Sequence, residues 1–238
     1  MTSQLYAICF RAGRPSDLAE FWAGVLGREP GEGPDGVVLL PPGGAGFLIR
    51  FLPGREPKTG RNRAHFDLTS TSPEDQRATV ARALALGGHH IDVGQLPEEG
   101  HVVLADPDGN EFCVIAPGNT FLAGTGFVGA LACDGTREVG LFWSAALGWP
   151  LVWDQGQETA IQSPEGGTKI TWGGPPVAPQ TGADRIHLEL LVPAGADRDA
   201  EVERLIALGA RRSGATTGTD HLALLDPDGN EFTLRRPG

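Results

Sequence analysis

The 238-residue chain carries 30 acidic and 19 basic residues, a formal net charge of −11. This excludes the clustered Lys and Arg that a phosphate backbone demands, so no nucleic-acid partner is expected. No stretch approaches the roughly 18 consecutive apolar residues of a membrane span, so no membrane is expected either.

The opening MTSQLYAICF has no basic stretch followed by an apolar run of secretory length, which predicts a cytoplasmic protein. LYAICF reads as a first strand. After it, Leu18, Phe21, Trp22, Val25 and Leu26 recur with the i, i+3, i+4, i+7, i+8 spacing of an amphipathic helix. VVLLPP and GFLIRFLP read as strands broken by Pro and Gly, and AHFDLTS as another. In SPEDQRATVARALALGG, Ser72 is the expected N-cap, Pro73 the first helical residue, Asp75 the closing member of a capping box and Gly87 the stop. The strands HVVLADP and NEFCVIAP follow.

The pattern then repeats after about 121 residues, in the same order. DLAEFWAGVLG is matched by EVGLFWSAALG, NRAHFDL by DRIHLEL, and VARALALGG by VERLIALGA, with APGNTFLAGTG as the linker. Val139, Phe142, Trp143, Ala146 and Leu147 repeat the helical apolar face. The chain is therefore four βαβββ units in two copies. DPDGNEF occurs identically at Asp106–Phe112 and Asp226–Phe232. Pro at the second position and Gly at the fourth predict a hairpin turn with Gly109 and Gly229 at positive φ, and with the Asp residues facing solvent.

Strand alternation separates the apolar from the polar side chains. Phe66, Leu68, Phe112 and Val114 are expected under the helices. That leaves His65, Asp67, Glu111 and Cys113 on the opposite, concave face, with His187, Glu189, Glu231 and Thr233 as their second-copy counterparts. His101 and His221 each lie five residues before a turn. Lys58, Arg61 and Arg63 form a basic loop near the first set, and Trp172, with Trp149 and Trp153, gives the second copy an aromatic resource. The expectation is two non-equivalent pockets, the first more polar and the second more aromatic. Cys9, Cys113 and Cys133 are odd in number and show no CxxC spacing, so neither a disulfide framework nor a thiolate zinc site is suggested.

PKTGRNRAHFDL, the FW…LG helix and DPDGNEFCV together resemble the glyoxalase-like domains of the vicinal oxygen chelate superfamily, which includes bleomycin-resistance proteins and extradiol dioxygenases. The resemblance covers nearly the whole chain, twice. It implies an α+β fold with one domain at residues 1–117 and a second at 124–238. Each would be built from paired βαβββ units forming a U-shaped, partly closed barrel around a ligand cleft, and the two would form an internal pseudo-dimer. Metal-using members hold a divalent ion with His, Glu or Gln. His65 and His187 match the ligand-bearing strand start, but the family's metal-binding Glu is replaced by Cys113 and Thr233. The resemblance thus implies a small-molecule binder without a metal cofactor, of sequestering or resistance type. The alternative is a metal-dependent lyase, isomerase or dioxygenase, with His65 as ligand and Glu111 as acid or base. Convergence of His65 and His101 with Glu111 or Cys113 on a metal would favour that alternative.

Overall fold

The computed structural model describes residues 2–33, 36–42, 46–54, 58–180, 182–193, 195–214 and 221–236. The first unit comprises β1 (Gln4–Ala12), α1 (Pro15–Leu26), β2 (Pro30–Gly33), β3 (Gly36–Leu39) and β4 (Leu48–Pro53). The second comprises β5 (Ala64–Leu68), α2 (Pro73–Ala85), β6 (His89–His90), β7 (Val102–Ala105) and β8 (Glu111–Val114). The third comprises β9 (Val128–Cys133), α3 (Arg137–Leu147), β10 (Leu151–Gln155), β11 (Glu158–Gln162) and β12 (Lys169–Trp172). The fourth comprises β13 (Ile186–Leu191), α4 (Arg198–Ala207), β14 (Arg211–Arg212), β15 (His221–Leu225) and β16 (Glu231–Arg235). No described helix is long and apolar enough to cross a membrane.

The units assemble into two eight-stranded, open sheets, and each sheet spans both halves of the chain. One runs β14-β15-β16-β13-β1-β4-β3-β2 and joins the fourth unit to the first. The other runs β10-β11-β12-β9-β5-β8-β7-β6 and joins the third to the second. In both, the leading strands meet antiparallel, with Cys9 opposite His187 and Asp67 opposite Ala130. Each leading strand then runs parallel to the last strand of its own unit. This corrects the expectation of one cleft per half, because every concave face draws on both copies.

The helices, by contrast, pack within their own half. Trp22 of α1 is fully buried, with ring centroids 5.5 Å from Phe66 and 5.0 Å from Phe112 of the second unit. Trp143 of α3 lies 5.0 Å from Phe232 of the fourth. Such edge-to-face aromatic contacts add to the stabilisation from the area that the rings bury. Cores made within halves and sheets made between them lock the two copies together. At α2, Ser72 Oγ accepts from the Asp75 N–H at 3.2 Å, as expected of an N-cap. The Asp75 carboxylate, however, accepts from the Thr71 N–H at 2.8 Å instead of closing the box on Ser72.

The repeated heptapeptide is a hairpin turn, with Gly109 at φ 82° and Gly229 at φ 86°. Its first Asp does not face solvent. Asp106 is 0% exposed, and Asp226 is equally enclosed. Asp106 Oδ1 accepts from the Asp108 and Asn110 N–H groups, while Oδ2 accepts from Trp22 Nε1 at 3.1 Å and from Asn110 Nδ2. Asp226 repeats the arrangement with Trp143 Nε1 at 3.3 Å. The carboxylate is buried because it ties the turn to the indole of the helix above it. Burial lifts Asp106 to a pKa of about 6 against the pull of these hydrogen bonds. Asp108 and Asp228 are also engaged, accepting from the Gly13 and Thr136 N–H groups that lead into α1 and α3.

Candidate functional site

Pleat alternation gives each sheet one polar concave face. Around β5, the strand AHFDL sends Phe66 and Leu68 into the core and leaves His65 and Asp67 on the other side. β8 does the same with Phe112 and Val114 against Cys113. The register sets Cys113 opposite Asp67, and His65 opposite Ala132. Here the structure brings three expected residues together. His65 Nε2 lies 3.4 Å from Asp67 Oδ1, and one ligand atom from each of His65, Asp67 and Cys113 falls within 4.8 Å of the other two. The His65 side chain keeps 34% of its surface exposed and Asp67 19%, while Cys113 is buried behind them, so His65 is the member that the cleft reaches first.

Ala130, Ala132 and Ala160 supply small floor positions beside it, in register with Asp67, His65 and Thr171. Trp153 faces the same side through its pairing with Ala160. The linker residue Phe121 packs edge-on against Trp153 at 5.5 Å and under the Lys169 ammonium at 4.8 Å. The aromatic wall therefore stands over the sheet that carries His65, and the expected division into a polar first pocket and an aromatic second one is corrected. Alternation turns Trp172, with Ile170, toward the core, where it lines a small cavity with His187 and Glu231.

Electrostatically the trio behaves as a hydrogen-bonding set. Burial pulls the His65 imidazole down, but its contacts with Asp67 and then Cys113 outweigh it, so its pKa is raised. Burial pushes the Cys113 thiol up, against the counteracting pull of His65. An imidazolium, a carboxylate and a neutral thiol can donate and accept at once toward a bound molecule. His101 stands apart from the trio, with Nε2 3.8 Å from a Glu99 oxygen. Glu111 lies at the strand start, bound by Lys58 and by the Asn62 N–H at 3.2 Å. Lys58 is thus committed to Glu111, and the loop contributes no row of free cations.

The other concave face is built differently. Arg50 of β4 forms an ion pair with Glu189 of β13, the two side chains being 3% and 1% exposed. His221 Nε2 is 3.0 Å from the second Glu189 oxygen, and Arg235, stacked over Tyr6 at 5.1 Å, is 3.9 Å from it. Thr233 pairs with Glu189 across the strands, and Glu231 pairs with Arg11. His187 is buried, and its pKa is driven well down by burial and by the nearby Arg11, Arg50 and His221, so it is neutral. Burial also raises the Cys9 thiol, helped by Glu189. Arg50 is the residue that sequence reasoning passed over. An arginine between Ile49 and Phe51 in an otherwise apolar strand was the available signal.

As a seat for a divalent cation, the two faces differ. His65, Asp67 and Cys113 offer N, O and S donors, and a 3.4 Å N-to-O separation suits two ligands bound to zinc at about 2.0–2.2 Å. On the other face the Arg50 guanidinium is already paired with one Glu189 oxygen and Arg235 approaches the other, so the residues there do not fit a cation.

The chain is similar in fold to glyoxalase I from Zea mays, at 15% identity and a TM-score of 0.64, covering 99% of this chain and 92% of that one. It is also similar to a presumed dioxygenase from Bacillus subtilis, at 15% identity and a TM-score of 0.65, covering 100% and 86%. Among curated proteins, none matches it. Residues 7–115 and 129–235 each match the family described as Glyoxalase-like domain. With nearly the whole chain accounted for by two copies of it, the protein belongs to the glyoxalase-like domain family of the vicinal oxygen chelate superfamily.

Proposed function

We propose that the protein binds a small organic molecule on the concave face carrying His65, Asp67 and Cys113, and does so without a metal cofactor. The observation that carries this reading is the contrast between the faces. One is filled at its centre by the Arg50–Glu189 pair, while the other presents a partly exposed His65, backed by the more deeply set Asp67 and the buried Cys113, beside small alanines and the Trp153 wall. A concavity with a few convergent polar groups and an aromatic wall is the usual form of a ligand site. The protonation directions suit hydrogen bonding, with the burial of His65 outweighed by Asp67, which raises it, and Cys113 pushed up by burial, so that both carry a proton to donate. Sequestration of a flat or conjugated molecule fits this site, and a cytoplasmic location fits the free thiols of all three cysteines.

A second reading, a metal-dependent lyase, isomerase or dioxygenase, is favoured by the proximity of the three donor atoms. In that case His65, Asp67 and Cys113 would hold the ion, which when bound would supply Lewis-acid polarisation of a substrate oxygen. Glu111, bound to Lys58 at the strand start, is not among those donors. Two measurements separate the readings. Elemental analysis of purified protein is expected to find no stoichiometric transition metal. A thermal-shift screen of small aromatic and carbonyl compounds is expected to give hits that His65→Ala loses and His187→Ala keeps. One tightly held ion per chain, lost in Cys113→Ser, overturns the first reading in favour of the second. Hits lost equally in both His variants would refute the assignment of the working face.

A further inference from the structure

A cavity of about 880 Å³ opens between the first and third units, lined by residues remote from the His65 trio. Equivalent segments of the two copies build it. Leu26 ends α1 with Arg28 two residues on, and Leu147 ends α3 with Trp149 two residues on, so the repeat sets a guanidinium and an indole at matching positions of one cavity. Phe47 and Phe127 add apolar wall. Most of the polar side chains around it are already used. Thr2 Oγ1 donates to the Leu147 carbonyl, Ser3 Oγ to Glu201 and Thr168 Oγ1 to the Val128 carbonyl, while Ser163 Oγ accepts from the Glu165 N–H.

Arg28 is the exception. Its NH1 is buried and has no hydrogen-bond partner among the described residues. Burial lowers its pKa with no carboxylate acting in the other direction. Glu165, the acidic residue on the cavity lining, is exposed. A guanidinium stays charged under such conditions. Arg28 as a whole is half-buried, but a guanidinium with one nitrogen buried and unpaired is costly, and a carboxylate is its best-matched partner. The volume falls within the range of about 300–1,000 Å³ typical of small-molecule sites.

We propose that this cavity binds an amphipathic organic monoanion, its carboxylate on Arg28 and its apolar body against Phe47, Phe127 and Trp149. The site is independent of the His65 face and stands or falls separately.

Isothermal titration with dodecanoate below its micellar concentration, and with dodecanol as the uncharged control, tests this. Dodecanoate is expected to bind one per chain and dodecanol at least about tenfold more weakly, as a charge-assisted contact implies. Arg28→Gln should abolish that difference, Arg28→Lys should restore part of it, and Asp67→Asn should leave dodecanoate binding unchanged. Unliganded Arg28→Gln should melt at the wild-type temperature or above, because it removes an uncompensated charge. Absence of dodecanoate binding, equal affinity for acid and alcohol, or full retention of acid binding in Arg28→Gln would each overturn the proposal. A melting temperature lowered by several degrees in unliganded Arg28→Gln would also overturn it, by showing that the guanidinium has a partner within the protein.

Discussion

Arg50 and Glu189, 139 positions apart in the chain, form an ion pair at the centre of one concave face with almost no exposure to solvent. The pair exists because β1 lies between β4 and β13, so the first and fourth units contribute one charge each. It closes off the position where the other face carries its reachable His65.

Removing one member should therefore be costly. Glu189→Gln leaves the Arg50 charge buried without its counterion, and the expected loss is about 3–5 kcal/mol of unfolding free energy. The double change Arg50→Met with Glu189→Leu should recover most of that loss, since apolar replacement of a buried pair is often neutral or better. Urea denaturation of the three proteins checks both. A single and a double variant of equal stability would show that the charge is hydrated and not buried.

On the other face, Asp67 is expected to set the protonation of His65. The folded imidazole has a raised pKa, so the stability it confers is fully present below its unfolded value of about 6.5 and is lost as the pH climbs through the folded value. In Asp67→Asn the burial remains and the carboxylate is gone, so the midpoint should fall by about 1–3 pH units. An NMR titration of the imidazole signals reads this directly, and an unchanged midpoint would mean that Asp67 does not govern His65.

The turn carboxylate should matter for stability far more than an exposed turn residue would. Asp106→Ala strands the Trp22 Nε1–H, the Asp108 and Asn110 N–H groups and the Asn110 amide, each worth about 1–3 kcal/mol when left buried without a partner. A loss above about 3 kcal/mol is expected, with Trp22→Phe costing less. Since burial raises Asp106 to about 6, its own contribution makes the fold less stable as pH rises from about 4 to about 6. A carboxyl carbon titration with its midpoint near the ordinary aspartate value would contradict this.

Two tryptophans should separate by phenotype. Trp172 is a core residue, and Trp172→Ala should cost about 3–5 kcal/mol of stability. Trp153, on the concave face against Phe121, should affect ligand hits from the screen with a smaller change in melting temperature. Loss of ligand in Trp172→Ala at full stability would put the aromatic wall in the wrong place.

What the sequence determined by itself was everything carried by local period and repetition. The FW helices, the DPDGN hairpins with positive-φ glycines, the inward Phe66 and Phe112 and the concave His65, Asp67 and Cys113 all follow from spacings of 3.6 and 2, because those spacings fix which way a side chain points. Tertiary structure decided which leading strands became neighbours. Identical unit signatures cannot say whether β5 pairs with β1 or β9, since each leading strand presents one free edge with the same hydrogen-bonding groups. That choice put Arg50 against Glu189 and Trp153 above the His65 sheet. It was likewise only packing, with Trp22 reaching down to the turn, that made Asp106 a buried anchor, because a carboxylate's solvent exposure depends on what is folded over it.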